Sequence, residues 1–361
     1  MDDRNFDVDR RRIYSKLSNQ KRRSKVNMMN KAFIKTVEYY LPENVLTNDQ
    51  IAERFPEWSA EKVANKIGIK ERHLSGENET ATDLAYKAAE KLFGKHPEER
   101  EKVDFLLLCS QSVDYKLPSS SCILQYKLGL KTSCGAFDFN LGCSGYEYGL
   151  AVAKGLLIGG IATNVLVLTA ETYTKYIHPE DKGNQTIFGD AGTATIVSID
   201  GFAEIGEFVL GTDGSGAELL MVKTGGARLP EKTGRVTEDE NGFQKRDDTL
   251  YMDGGAIFNF TADVVPVMVE QLLKKENVEQ DDVDLWVFHQ ANKYMINYLR
   301  KLMCIDKDKF YVFMEGVGNT VSNTIPIALH EAQKEGRLKG NVLLAGFGVG
   351  LSWGATMLHC N

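Results

Sequence analysis

The sequence has little that marks a fibrous, exported or membrane-spanning chain. Only 8 of its 361 residues are proline, and its 33 glycines follow no fixed period, which excludes a collagen-like repeat and a low-complexity disordered chain. No run of 18 apolar residues occurs. The nearest, residues 155–170, is interrupted by Thr163 and Asn164, so no membrane span is expected. No CxxC pair is present: Cys109, Cys122, Cys134, Cys143, Cys304 and Cys360 lack metal-site or disulfide-framework spacing. With no apolar secretory run they read as reduced thiols of a cytoplasmic protein. Positive charge is not in excess either. Forty-three basic and 50 acidic residues leave −7, a poor charge for non-specific binding to nucleic acid.

What is present is globular: 43% hydrophobic and 26% charged residues. The length exceeds what one core usually organises, so two lobes are expected. Residues 1–30 hold nine Lys/Arg and four Asp, a net +5 that leaves −12 for residues 31–361. They show no apolar periodicity and are expected to be a disordered basic leader or extension, with Met28 or Met29 a candidate start. The remainder carries an internal duplication. Residues 103–111 are similar to 283–291, and 164–170 to 341–347, at offsets of about 180 and 177. Each is a short apolar run of the kind that forms a strand buried on both faces. Helical spacing precedes each first strand, at Leu84, Ala85, Ala88, Ala89 and Leu92, and at Val264, Val265, Met268 and Leu272. Two further helices are expected at about Ser144–Ile158 and Thr320–Glu335, the first presenting Tyr148, Val152 and Leu156 on one face.

Four segments could carry chemistry. Cys143 falls at a strand-to-helix junction between Gly142 and Gly145. The glycines permit a tight turn and close approach of a ligand. A helix start offers free N–H groups and a partial positive charge, which favour the nucleophilic thiolate. His289 follows the apolar run Trp286-Val-Phe, at the strand end where open α/β sheets place functional groups. Asn319 lies in Gly316-Val-Gly-Asn319-Thr, just before a helix. The run Gly346-Phe-Gly348-Val-Gly350 puts glycines inside a strand-like context, so backbone there must pass close to something. The repeat offset places His289 opposite Cys109 and Cys143 opposite about Thr320, beside Asn319. Taken singly, a buried cysteine is a small hydrophobe, a histidine a core donor, and an asparagine a turn former or helix cap.

Together these segments match a known pattern. In chain order they are Ile34–Glu43, Gly68-Ile-Lys-Glu-Arg72-His73, Leu141-Gly-Cys143-Ser-Gly, Ile187-Phe-Gly-Asp190-Ala-Gly, His289-Gln-Ala-Asn292, Gly318-Asn319-Thr and Gly346–Gly354. Residues from about Lys31 to Cys360 resemble the β-ketoacyl-acyl-carrier-protein synthase III family, a branch of the thiolase-like condensing enzymes. The resemblance implies an α/β fold of five layers, αβαβα, with an internal pseudo-twofold duplication. It places the nucleophilic cysteine in a half spanning 31–205, and the histidine and asparagine in a half spanning 206–361. It also implies a homodimer.

By the same resemblance Cys143 takes an acyl group from a thioester. His289 and Asn319 then stabilise the enolate formed when a malonyl thioester loses carbon dioxide. The backbone N–H groups of Cys143 and Val349 would hold the tetrahedral oxyanion. No metal and no resident cofactor are implied, since the thioesters ride on coenzyme A or on the phosphopantetheine of acyl carrier protein. Non-decarboxylating thiolases carry a second cysteine near the C-terminal glycine-rich loop to move a proton; the loop Gly346–Gly350 has none, which matches a decarboxylating condenser. Lys62 stands where relatives stack a tryptophan on adenine, Lys66 and Lys182 where they carry arginines, and Lys293 and Tyr294 where an arginine docks the carrier. Lysine keeps charge without a planar stacking face, which favours a carrier-protein donor. Asn292 and Leu117, the latter near the dimer contact, are further expected substrate-side residues. The competing readings are a non-condensing acyltransferase that uses Cys143 to pass an acyl group to an alcohol or amine, and a silent subunit partnering an active paralogue.

Overall fold

Nine strands rich in aliphatic and β-branched residues build one sheet in a computed structural model that describes residues 31–238 and 244–361. The basic leader, residues 1–30, lies outside the described residues. In chain order the strands are β1 (Phe33–Tyr40), β2 (Phe105–Cys109), β3 (Gly135–Phe139), β4 (Asn164–Glu171), β5 (Ala191–Ser198), β6 (Ala203–Thr212), β7 (Val283–Phe288), β8 (Gly340–Gly348) and β9 (Ser352–Cys360). Across the sheet they run β7-β8-β9-β6-β1-β5-β4-β2-β3. The order repeats outward from the centre. β1, β5, β4, β2 and β3 follow one another in the first half, and β6, β9, β8 and β7 do so in the second. A lone parallel bridge, Trp286 to Phe310, stands beside β7 where β3 stands beside β2. The halves join where Phe33 pairs with Glu204 and Ile34 with Ala203.

The duplicated Val-Asp signal has a local cause. The Asp104 carboxylate accepts from the backbone N–H of Thr163 and Asn164 at 2.8 and 3.0 Å. Asp284 accepts from Asn341 N–H at 2.9 Å. In both halves, an aspartate at the start of one strand, Asp104 just before β2 and Asp284 within β7, clasps the start of its parallel neighbour.

Strand alternation produces the layers. Leu107, Val165 and Val167 point to one face and pack with Leu285, Val287, Val342 and Leu344 of the other half. Between them lie helices α3 (Gly145–Ile158) and α6 (Thr324–Lys334), contributing Tyr146, Leu150 and Ala153, and Ile325, Ala328 and Leu329. Leu106, Leu108, Leu166 and Leu168 face outward against α2 (Ala81–Lys95). Trp286, Phe288, Leu343 and Ala345 face outward against α4 (Gly254–Glu276) and α5 (Lys293–Leu302). Each buried aliphatic side chain is worth about 1.5–3 kcal/mol on leaving water. The result is helix, half-sheet, helix, half-sheet, helix. One more helix, α1 (Ala60–Ile67), flanks α5; Lys293 lies over Gly68, which ends α1 in the left-handed region at φ 81°.

Two helix readings need correction. The buried face of α3 is Tyr146, Glu147, Leu150, Ala153 and Leu157, while Tyr148, Val152 and Leu156 lie on the less buried side. The segment is apolar all round, so spacing alone could not choose the inner face. The helix expected near Val264–Leu272 runs for 23 residues and passes through Pro266. By length and composition it could cross a membrane. Here its Ile257, Val265, Met268, Val269 and Leu272 pack on the sheet.

Candidate active site

The turn before α3 holds Cys143, 6% exposed. Strand β3 ends at Phe139, four residues earlier, and Ser144 is the helix N-cap. The Ser144 hydroxyl is not used on its own helix but lies 2.7 Å from that of Ser352. Ser352 in turn donates to Val349 O at 2.8 Å, so Ser144 is the donor of the pair. This ties the cysteine turn to the β8–β9 hairpin. The backbone N–H groups of Val349 and of Cys143 itself are the hydrogen bonds offered to the sulfur.

The glycines of β8 are explained by what faces them. A Cβ on Gly348 would lie 2.9 Å from both Cβ and Sγ of Cys143, and one on Gly346 would strike a carboxylate oxygen of Glu147. Gly346 pairs with Gly354 across the hairpin, and the notch they leave is filled by Glu147. That carboxyl is fully buried, with neither oxygen partnered among the described residues, and burial holds its pKa well above the usual carboxylate value. Gly348→Ala is therefore expected to displace the sulfur. Acylation of Cys143 should slow at least about tenfold, since a small misplacement of reacting atoms costs that much or more; time-resolved intact-mass spectrometry would measure it, and wild-type kinetics would refute the contact.

Burial also sets the protonation of Cys143. Desolvation, with a further push from Glu171, raises the thiol to about 12, and the Val349 and Cys143 N–H groups pull it the other way. Glu171 is itself raised to about 8 by burial, although it accepts from Gln111 N–H and the Ser112 hydroxyl. The N–H groups of the helix start do favour the thiolate, but they are not the larger influence here. Burial outweighs the favourable N–H groups, and the resting group is a thiol.

His289 follows β7, with its N–H donating to Ala345 O at 2.8 Å and its ring edge-on to Phe347, centroids 5.7 Å apart. Desolvation pushes its pKa down to about 3, so it is neutral. Nδ1 lies 2.7 Å from Thr324 Oγ1. Asn319 is clamped by the other half of the chain: its N–H donates to Ile187 O at 2.9 Å and its carbonyl accepts from Gly189 N–H at 3.0 Å. Its Oδ1 accepts from Val321 N–H at 2.9 Å, which aims the amide nitrogen at His289 Nε2, 3.5 Å away. Val321 reaches that position at φ 60°, a conformation that costs a β-branched residue about 1–3 kcal/mol. Arg72 is buried behind this turn, donating to Asn48 Oδ1 and Thr186 O at 2.8 and 2.6 Å. The end of β8 thus touches Cys143 through Gly348 and His289 through Ala345 and Phe347, and Asn319 completes the group from a third loop.

The expected substrate-side residues are placed less centrally. Lys62, Lys66 and Lys293 are exposed and have no ion-pair partner among the described residues. Lys182 pairs with Glu57 and lies 5.6 Å over the Phe55 ring. Asn292 caps α5, its Oδ1 accepting from Met295 N–H at 2.9 Å. Leu117 is 82% exposed. Sequence reasoning missed Thr324, Val321, Glu147 and the pair formed by Tyr173, whose hydroxyl donates to Gln111 beside Gly142. None lies in a motif by spacing, although a glutamate in the apolar segment 145–158 was a visible anomaly.

A doubled half-sheet around two central helices, with a cysteine, a histidine and an asparagine gathered at one strand end, defines a thiolase-like condensing enzyme. Residues 137–214 match the 3-oxoacyl-[acyl-carrier-protein (ACP)] synthase III family, and residues 273–360 match the family of its C-terminal region. The chain belongs to the β-ketoacyl-acyl-carrier-protein synthase III family. It is 33% identical over 323 residues to a β-ketoacyl-[acyl-carrier-protein] synthase III of Caldanaerobacter subterraneus, covering 88% of this chain and 95% of the relative. The protein of that name from Clostridioides difficile is 35% identical over 333 residues, covering 92% and 99%. A 2.1 Å crystal structure of a 3-oxoacyl-(acyl-carrier-protein) synthase III superposes with a TM-score of 0.88 at 47% identity, covering 91% of this chain and 99% of the other.

Proposed function

We propose that this chain performs acyl transfer to Cys143 followed by decarboxylative condensation with a malonyl thioester on acyl carrier protein. The single observation that carries the reading is the convergence of Cys143 and His289 on the end of β8, with the Asn319 amide held against His289. In the first step the Cys143 sulfur attacks the thioester carbonyl, the carbon–sulfur bond of the donor breaks, and the proton given up by Cys143 ends on the departing sulfur, which leaves as a thiol. The Val349 and Cys143 N–H groups suit an oxyanion there, fixed in place before the reaction. In the second step malonyl thioester loses carbon dioxide. The enolate oxygen is stabilised by His289 and Asn319, and the carbanion attacks the acyl-Cys143 carbonyl to give a β-ketoacyl thioester and free the sulfur. No cofactor takes part. The nucleophile belongs to the half 31–205, and its two partners to the half 206–361. Incubation with acyl-carrier-protein and coenzyme A thioesters should add one acyl mass to the protein, and malonyl thioester should then release carbon dioxide. Acylation without malonyl-dependent release would leave only the acyltransferase reading.

The proposed acceptor for the acidic carrier is the exposed lysine group of Lys62, Lys66 and Lys293, with Lys182 held back by Glu57. Asn292 would act there through the helix it caps. We further propose a cytoplasmic protein and a homodimer; the exposed Leu117, Tyr115 and Tyr126, in the segment between β2 and the sheet-ending strand β3, support the dimer. Light scattering that gives a monomer mass would reject the dimer.

A further inference from the structure

We propose that Thr324, which nothing in the reaction just described uses, is the positioning residue that decides which ring nitrogen of His289 carries its proton; this rests on the proposed condensation. His289 is buried and neutral, so it has one ring proton. Its role depends on where that proton sits. The only polar group within hydrogen-bond reach of Nδ1 among the described residues is Thr324 Oγ1, at 2.7 Å. The Thr324 hydroxyl also lies 3.1 Å from Val321 O, to which it donates. A hydroxyl has one proton. With that proton given to Val321 O, Oγ1 accepts from His289 Nδ1–H, and Nε2 carries a lone pair facing the Asn319 amide.

That resting tautomer receives but does not give at Nε2. Stabilising an enolate oxygen needs the opposite, a proton on Nε2. Rotation of the Thr324 hydroxyl from Val321 O toward Nδ1 supplies the matching arrangement, because a hydroxyl can donate to an unprotonated Nδ1 as readily as it accepts from a protonated one. The change is a neutral tautomerisation, in which Nδ1 loses one proton and Nε2 gains one with solvent as the carrier; the hydroxyl follows that proton rather than moving it, and both end states are uncharged, as this buried site favours. Thr324 is 2% exposed and opens α6, so its backbone is fixed while the hydroxyl can turn. Asn319 offers no acceptor to an Nε2 proton, since its Oδ1 is held by Val321 N–H.

Thr324→Val keeps the shape and removes both hydrogen-bonding options, whereas Thr324→Ser keeps them. Two half-reactions are read separately: acyl-Cys143 formation by intact mass, and carbon dioxide release from malonyl thioester by the acylated protein. Thr324→Val should acylate at the wild-type rate but release carbon dioxide about 10–100-fold more slowly, the scale known for removing the hydrogen-bond partner that orients a metal-bound imidazole. Thr324→Ser should recover most of it. Nitrogen-15 spectra of histidine-labelled wild type should show His289 protonated on Nδ1 at rest, and a mixture of tautomers in Thr324→Val. Wild-type carbon dioxide release by Thr324→Val, or a resting Nε2 proton, overturns the inference. Failure of every thioester to acylate the wild type removes the proposed function, and this inference with it.

Discussion

Cys143→Ala is expected to abolish the acyl adduct and to lower condensation by on the order of 10⁴ or more, the scale at which loss of a nucleophile is felt. The structure makes the substitution a clean one. The sulfur is buried against Gly348 and the Val349 N–H, so truncation leaves a small void and no buried unpaired charge. Intact-mass spectra across a panel of thioesters would show no shift for the variant and one acyl increment for wild type. Persistence of the adduct in the alanine variant would mean that another thiol is the acceptor. Cys109 would be the first to test, because its sulfur lies beneath the same turn against Gly145. Its own thiol is held well above the usual value by burial and donates to Leu141 O at 3.1 Å, so it is not expected to react.

His289→Ala separates the two half-reactions. The nearest contacts of the sulfur are with the cysteine turn and the β8–β9 hairpin, so the variant should still accept an acyl group. Condensation should fall by about 10²–10³, the usual result of deleting one preorganised donor to a developing oxyanion. Carbon dioxide release from malonyl thioester measures it, and normal release would remove the role assigned to His289. The sign of the pH dependence follows from burial. With its pKa lowered to about 3, His289 charges only below that pH. Between pH 5 and 8 the condensation rate should show no step that disappears in the His289 variant. A step near 6.5 tied to His289 would show that the ring is solvated during turnover.

Much of this site was legible because chemistry and backbone geometry spoke together. Cys143 between two glycines, His289 after an apolar run and the glycines of β8 each signalled a close approach, and the structure supplies the partner in each case. The duplication was legible because Asp104 and Asp284 perform the same backbone clasp, a constraint tight enough to leave its mark 180 residues apart. What stayed hidden depended on contacts between distant segments. The inner face of α3 is chosen by the sheets around it, not by its own apolar pattern. The resting thiol of Cys143 arises from desolvation, which no local sequence records. Thr324 looks like any residue near a helix start until His289 is brought to it from 35 positions away.

The junction between the halves has one more consequence. β1 and β6 meet through only two residue pairs, while Asn319 is gripped by Ile187 and Gly189 across that junction. The carboxamide and the imidazole therefore stay opposed only while the halves remain docked, so the catalytic group depends on the packing between the halves and not on the fold of either one alone.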